Sequence, residues 1–234
     1  MDNYLRDIHA RAIADDAEIK YLPENGSLRM SNHNMPLSIK NDEFTFIKNF
    51  VIEHNLKRGY EIATAFGISA TAFGLGLKET GGKMVTMDAY IEEQYNDCAA
   101  YRSKKATYKD ADGYKSMQFL IDAFDLDDII IPVVGWSPDD TAGAITGVFG
   151  QEKLDFVFID ALHYDEAIIA DVNSILPFLD DRYAVFFHDV HCFSENVENF
   201  LVETFGKSWT VPPQCRYIPG SQRGGYNLGY IYNA

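Results

Sequence analysis

Two short stretches concentrate side chains that move protons or bind cations. One is Asp160-Ala161-Leu162-His163; the other is His188-Asp189-Val190-His191. A histidine titrates near pH ~6.5, which suits a general base, and His163 stands three residues after an acid. Carboxylates mixed with imidazoles also form a donor set for a divalent cation. Oxygen ligands suit Mg²⁺, and an added imidazole tilts the choice toward Mn²⁺, Fe²⁺ or Zn²⁺. Taken alone, the five side chains allow a metal-dependent hydrolase or hydroxylase centre. Plainer roles stand beside these: a satisfied buried histidine at 188, a turn cap at Asp189 and a loop residue at His191. Asp160 is the strongest candidate, because it directly follows the apolar run Phe156-Val157-Phe158-Ile159 and so belongs to a cleft rather than an open face.

A second constellation lies upstream. Glu61-Ile62-Ala63-Thr64-Ala65-Phe66-Gly67 ends in small residues that let a ligand approach a turn closely, with the free N–H groups of a following helix beyond it. Asp88 comes 21 positions after Gly67, a spacing at which an acid can accept both hydroxyls of a ribose. The dinucleotide fingerprint GxGxxG is absent, since positions 63–68 read Ala-Thr-Ala-Phe-Gly-Ile. The pattern therefore points to a nucleoside site without a pyrophosphate, against the plain alternative of a tight turn into a close-packed helix. Gly135-Trp136-Ser137 offers an aromatic ring beside exposed backbone, able to cover an adenine face. A non-catalytic nucleoside-binding module would use these groups and leave the Asp/His cluster idle.

The elements that must present these residues alternate between strand and helix. Strands are expected over Tyr60–Thr64, Lys83–Asp88, Asp128–Val134, Leu154–Ile159, Tyr183–Phe187, Trp209–Ile218 and Tyr226–Tyr232. Helices are expected from Asn41, over Ser69–Leu77, Tyr114–Phe124, Asp139–Phe149, Tyr164–Leu179 and Asn196–Phe205, with 90–112 polar and partly helical. In Tyr164–Leu179, Ile168, Ile169, Val172, Ile175, Leu176 and Leu179 recur at helical period. This alternation predicts an α/β fold: a Rossmann-like, seven-stranded, mainly parallel sheet with helices on both faces and an antiparallel C-terminal hairpin. Pro132 inside a strand marks a bulge or an edge. Residues 1–40 read as an N-terminal peripheral segment, with loop composition over 21–36, and 41–234 as one domain. In such a sheet ligands sit at the carboxyl ends of the strands, where both constellations fall.

Length and composition narrow the class. The chain has 234 residues, 47% of them hydrophobic and 24% charged, as in an ordinary globular domain. Lys and Arg number 20 against 35 Asp and Glu, a net charge of −15. That balance disfavours nucleic acid and anionic membranes as partners. Cys98, Cys192 and Cys215 are too far apart for a CxxC motif, which predicts neither disulfide framework nor zinc ribbon. With no apolar signal core and no run long enough to span a bilayer, a reducing cytoplasm is the expected location. The Arg102, Lys104, Lys105 cluster and His33 read as solvated surface.

The segments EIATAFGISA, MVTMDAY, LDFVFIDALHYDEAIIADVNSILPFLDD and AVFFHDVH together resemble a class I S-adenosylmethionine-dependent methyltransferase. The third resembles bacterial small-molecule enzymes whose fourth strand ends FIDG-H-Y and whose fifth ends HD, relatives of catechol and macrolide-sugar O-methyltransferases. The likeness covers roughly residues 40–234. Ala63 stands where the family carries a glycine. The resemblance implies that Glu61, Ala63, Thr64 and Gly67 flank the methionine part of the cofactor. It implies that Asp88 binds the ribose with Ala89 or Tyr90 nearby, that Trp136 and Ser137 contact adenine, and that Asp160 lies beside the sulfonium. It further implies His163 and Asp160 as catalytic residues, a small-molecule hydroxyl acceptor, a divalent metal such as Mg²⁺ or Mn²⁺ on Asp160, His188 and Asp189, and a homodimer. Residues 1–40 and 90–112 would shape the acceptor pocket.

Overall fold

The computed structural model describes residues 4–14, 19–22, 27–30, 39–89, 112–215 and 228–234. Helix α1 (Tyr4–Ala14) is followed by a two-stranded antiparallel hairpin, β1 (Ile19–Leu22) and β2 (Ser27–Met30). The hairpin replaces part of the loop expected over 21–36. Then come α2 (Asn41–Glu53), β3 (Arg58–Ile62), α3 (Ile68–Thr80), β4 (Lys83–Asp88) and α4 (Asp112–Phe124). The rest is β5 (Ile130–Val134), α5 (Thr141–Phe149), β6 (Leu154–Ile159), α6 (Asp165–Ile175), β7 (Leu179–Phe187), α7 (Glu195–Phe205) and β8 (Gly229–Asn233).

The main sheet has six strands in the order β5-β4-β3-β6-β7-β8. All neighbours are parallel except β7 and β8, which pair antiparallel. Successive residues of a strand face opposite sides, and both sides are covered. Phe156, Phe158 and Phe186 pack with Phe44, Phe73 and Met117 of α2, α3 and α4. Val157, Ile159 and Val185 pack with Ile145, Val172 and Leu201 of α5, α6 and α7. Leu5 and Ile8 of α1 are fully buried and join the first of these layers.

Two differences from the sequence expectation have local causes. The expected seven-stranded sheet has six strands among the described residues, because 209–215 forms no full strand. Only Thr210 bridges β8, exchanging both backbone bonds with Tyr230 at 2.7 and 2.9 Å. Pro212 and Pro213 follow, remove donors and fix φ, and Pro213–Cys215 turns into a 3₁₀ helix. The helix expected through Leu179 ends at Ile175, with Pro177 in a 3₁₀ turn, which frees Leu179 to begin β7. Pro132 lies in β5, at the edge of the sheet. The segment 90–111, with Tyr90, Arg102, Lys104 and Lys105, and His33 lie outside the described residues.

Candidate active site

Strand register brings the candidate residues to one edge. Ile62 pairs with both Met87 and Ile159, Asp88 with Val134, and Ile159 with Phe187. The carboxyl ends of β3 to β7 are therefore level, and β3 is the point where the chain switches from building one side of the sheet to the other. The edge divides into two halves.

The first half belongs to β3, β4 and β5. After Ile62 the chain turns sharply, and Ala63 and Thr64 both donate N–H bonds to the Met87 carbonyl, at 2.8 and 3.4 Å. Ala63, Ala65 and Gly67 have φ of 69°, 46° and 81°, in the left-handed region. Gly67 is the N-cap of α3, and a β-carbon there would lie 2.4 Å from Met117 Sδ and 3.2 Å from its Cα. Glu61 is fully buried beneath this turn. Ser69 Oγ donates to its Oε1 at 2.5 Å and Thr86 Oγ1 donates to its Oε2. Burial pushes the Glu61 carboxyl up to about 7, against the opposing pull of those two hydroxyls.

Asp88 ties the neighbouring turns together. Its Oδ2 accepts the Ala65 N–H at 2.8 Å and its carbonyl accepts the Gly135 N–H at 3.0 Å. Ala89, next in the chain, is also buried. Beyond β5, Trp136 N–H donates to Asp140 Oδ2 at 2.8 Å, while Ser137 Oγ donates to Asp171 Oδ1 at 2.5 Å. Asp171 comes from α6 and is buried; that burial raises its carboxyl to about 6, with the Ser137 bond opposing. The sequence reading did not single out Asp171. Its signal is an acid in phase with Ile168, Val172 and Ile175 on the buried side of α6.

The second half belongs to β6 and β7. Asp160 and His188 begin just past their strands, held by backbone bonds to Ile62 and Ile159 at 3.3 and 3.1 Å. His163 Nε2 lies 3.5 Å from Asp160 Oδ1 and 3.6 Å from Asp189 Oδ2. His188 Nδ1 lies 3.3 Å from Asp160 Oδ2 and 3.7 Å from Asp189 Oδ1. Burial alone would raise Asp160, but the His188 and His163 imidazoles outweigh it and hold the carboxyl at about 2. The Asp160 carboxylate raises His163 against partial burial. Burial depresses His188, yet the charges of Asp160 and Glu43 leave it well above its ordinary value.

One further acid enters here from α2. Glu43 is 1% exposed, and its Oε2 lies 3.5 Å from His188 Nε2. The sequence reading missed it; its signal is an acid four and seven residues before the buried Ile47 and Phe50, on one helical face.

The ligand atoms of Asp160, His163 and Asp189 all lie within 4.8 Å of one another, a set of two carboxylates and an imidazole that fits a divalent cation. Of the residues expected to hold a metal, Asp160 and Asp189 thus come together. The third member of this compact group is His163, while His188 sits more deeply between Glu43 and Asp160. His191 Nδ1 is 3.7 Å from Asp189 Oδ1, at the rim.

A family model described as a methyltransferase domain matches residues 60–190, which contain both halves of this edge. No curated protein matches the chain. Solved structures share its fold at low identity. Cofactor-bound Rv0187 from MTB is 15% identical with a TM-score of 0.59, over 100% of this chain and 90% of that one. An O-methyltransferase from Bacillus cereus in complex with SAH is 16% identical with a TM-score of 0.57, over 99% and 91%. The O-methyltransferase TomG from Streptomyces achromogenes, involved in tomaymycin synthesis and in complex with SAM, is 14% identical with a TM-score of 0.59, over 100% and 91%. Among the described residues no helix is long and apolar enough to cross a membrane.

Proposed function

The chain belongs to the family of methyltransferase domains, and on that premise we propose that it transfers the methyl group of S-adenosylmethionine to a hydroxyl oxygen of a small molecule. The observation that carries this reading is the level carboxyl edge, on which the β3 turn, Asp88 and the Asp160–His163–Asp189 group stand side by side. S-adenosylmethionine supplies an electrophilic methyl: its S–C bond breaks as the O–C bond forms, sulfur keeps the electron pair, and the hydroxyl proton leaves to a base.

The chain's residues divide this work. Glu61, Ala63, Thr64 and Gly67 shape the wall for the methionine end of the donor. Asp88, with Ala89 beside it, takes the ribose hydroxyls, and Trp136 and Ser137 border the adenine. Asp160 stands where donor and acceptor meet. Aligning the two in line supplies a large part of the rate, because it removes the entropy of bringing them together. His163, held between Asp160 and Asp189, takes the acceptor proton. Residues 41–234 form the transferase domain, and 1–40 a segment that helps shape the acceptor side.

The compactness of the Asp160, His163 and Asp189 donor set favours a second way to remove the same proton. These three would hold Mg²⁺ or Mn²⁺, which when bound lowers the pKa of a hydroxyl brought to it. Calorimetry separates the possibilities. S-adenosylmethionine and S-adenosylhomocysteine should both bind in chelator, and Mn²⁺ titrated after the chelator has been dialysed away should give its own heat only if the cation reading holds. Absence of binding by either nucleoside would end the proposal.

A further inference from the structure

Of the three buried side-chain polar atoms without a hydrogen-bond partner among the described residues, one is Arg58 Nε and the other two lie on one pair of side chains at the acceptor half. Among the described residues, Glu43 Oε1 and His188 Nε2 both lack such a partner, and the residues are 1% and 9% exposed. A buried carboxylate needs partners that make up for its lost hydration. Glu43 finds compensation on both sides. The Lys40 N–H donates to its Oε2 at 2.7 Å, which fixes the side chain against the start of α2. The same oxygen faces His188 Nε2 at 3.5 Å. The other nitrogen of that ring, Nδ1, faces Asp160 Oδ2 at 3.3 Å. One imidazole is thus gripped between a carboxylate from α2 and the carboxylate at the centre of the site.

Glu43 is the N3 residue of a capping box at the start of α2, which accounts for its bond from the Lys40 N–H but not for the approach of the same oxygen to His188 Nε2. Nor does Glu43 belong to the segment 60–190 that the family shares. The approach to His188 is what the cap leaves to be explained. We infer that Glu43 is a positioning residue: by holding Nε2 of His188 it keeps Nδ1 on Asp160 and fixes the Asp160 carboxylate at the reacting end of the site. Alignment of the chemistry then depends on how α2 is seated against the sheet, through Phe44, Ile47 and Phe50. The role given to Asp160 rests on the proposed function; the grip on the ring does not.

The test uses the difference between two nucleosides. S-adenosylmethionine carries a sulfonium charge that S-adenosylhomocysteine lacks. The ratio of their Kd values therefore reads how well the Asp160 carboxylate is placed, whereas general loosening weakens both alike. In Glu43→Gln the preference for S-adenosylmethionine should fall about tenfold, the low end of what a contact to a charged group is worth. The His188 ring nitrogens should shift in ¹⁵N spectra. His188→Gln should give the same fall, and the double variant no further one. An unchanged ratio in Glu43→Gln overturns the inference whatever the ring does, as does equal weakening of both nucleosides or a double variant whose losses multiply. If Glu43→Gln does not fold, Glu43→Asp, which keeps the charge but withdraws it from His188, takes its place with the same expected fall. If the wild-type chain binds neither nucleoside, the proposed function fails. The ring signal then decides alone: unmoved by the substitution it overturns the grip, shifted it supports it.

Discussion

The two halves of the carboxyl edge are built by different means. Around β3, β4 and β5, polar groups close on one another through hydrogen bonds: Ser69 to Glu61 at 2.5 Å, Ala65 to Asp88 at 2.8 Å, Ser137 to Asp171 at 2.5 Å. Around β6 and β7, the side chains face each other as ion pairs at 3.3 to 3.7 Å. Hydrogen bonds are short and directional, whereas attraction between charges decays slowly with distance. The first half therefore has one geometry and is set before anything binds. The second half is held by charge and can readjust around an acceptor or a cation without losing its cohesion. A methyl donor is the same molecule at every turnover and suits a rigid cradle; proton removal at an acceptor oxygen needs charges that can rearrange.

If the division is sound, the largest effect belongs to the charged half. Asp160→Asn keeps the shape of the side chain and removes its charge. Methyl transfer to a hydroxylated acceptor found by screening should fall by about 10² to 10⁴, the range set by proton-transfer groups. Calorimetry should find S-adenosylhomocysteine binding within about threefold of wild type, a difference under ~0.7 kcal/mol. Preserved turnover would place the chemistry elsewhere.

Glu61 tests the hydrogen-bonded half through pH. In the unfolded chain its carboxyl ionises near 4.5; in the folded chain burial moves that to about 7. Below 4.5 both states hold the proton, and between 4.5 and about 7 only the folded state does. Stability contributed at this position is thus present at low pH and lost as pH rises through that window, by about 3 kcal/mol at ~1.36 kcal/mol per unit. Denaturant unfolding of wild type and Glu61→Gln from pH 4 to 8 should show the wild-type curve falling relative to the variant. Parallel curves would mean that the Glu61 carboxyl ionises over the same pH range in the folded chain as in the unfolded one.

Sequence periodicity shows the rigid half more fully than the charged one. Strand ends and the acid after each strand follow from short-range pattern, so Glu61, Asp88, Asp160 and Asp189 are placed at one edge by topology alone. The depth of a side chain between two others is a tertiary fact. That His163 rather than His188 completes the compact donor group depends on a few ångströms of ring placement, which no spacing encodes. Glu43 and Asp171 are acids on apolar helical faces, a visible irregularity whose partners lie far away in sequence. Over 209–215, the described part of the expected seventh strand, two adjacent prolines outweigh the β-branched and aromatic residues around them.

Asp88 gives the next effect. Its carboxylate joins the β3 turn through Ala65 and, on the proposed function, receives the ribose hydroxyls. Asp88→Ala should weaken S-adenosylhomocysteine by about 1–3 kcal/mol, the cost of leaving buried polar groups unsatisfied. Full affinity would show that the ribose lies elsewhere and that Asp88 only staples the turn.

The smallest effect probes how much strain the rigid half carries. Ala63 holds φ at 69°, and its N–H donates to the Met87 carbonyl at 2.8 Å. The left-handed region costs a non-glycine residue about 1–2 kcal/mol. Glycine removes that strain but gives back about 0.5–1 kcal/mol through the greater freedom of its unfolded chain. Ala63→Gly should therefore stabilise the fold by no more than about 1 kcal/mol, a rise in Tm of about 2–4 °C for a domain of this size. A lowered Tm would show that the Ala63 methyl contributes more through packing than its backbone loses, and that the first half is tight without being strained.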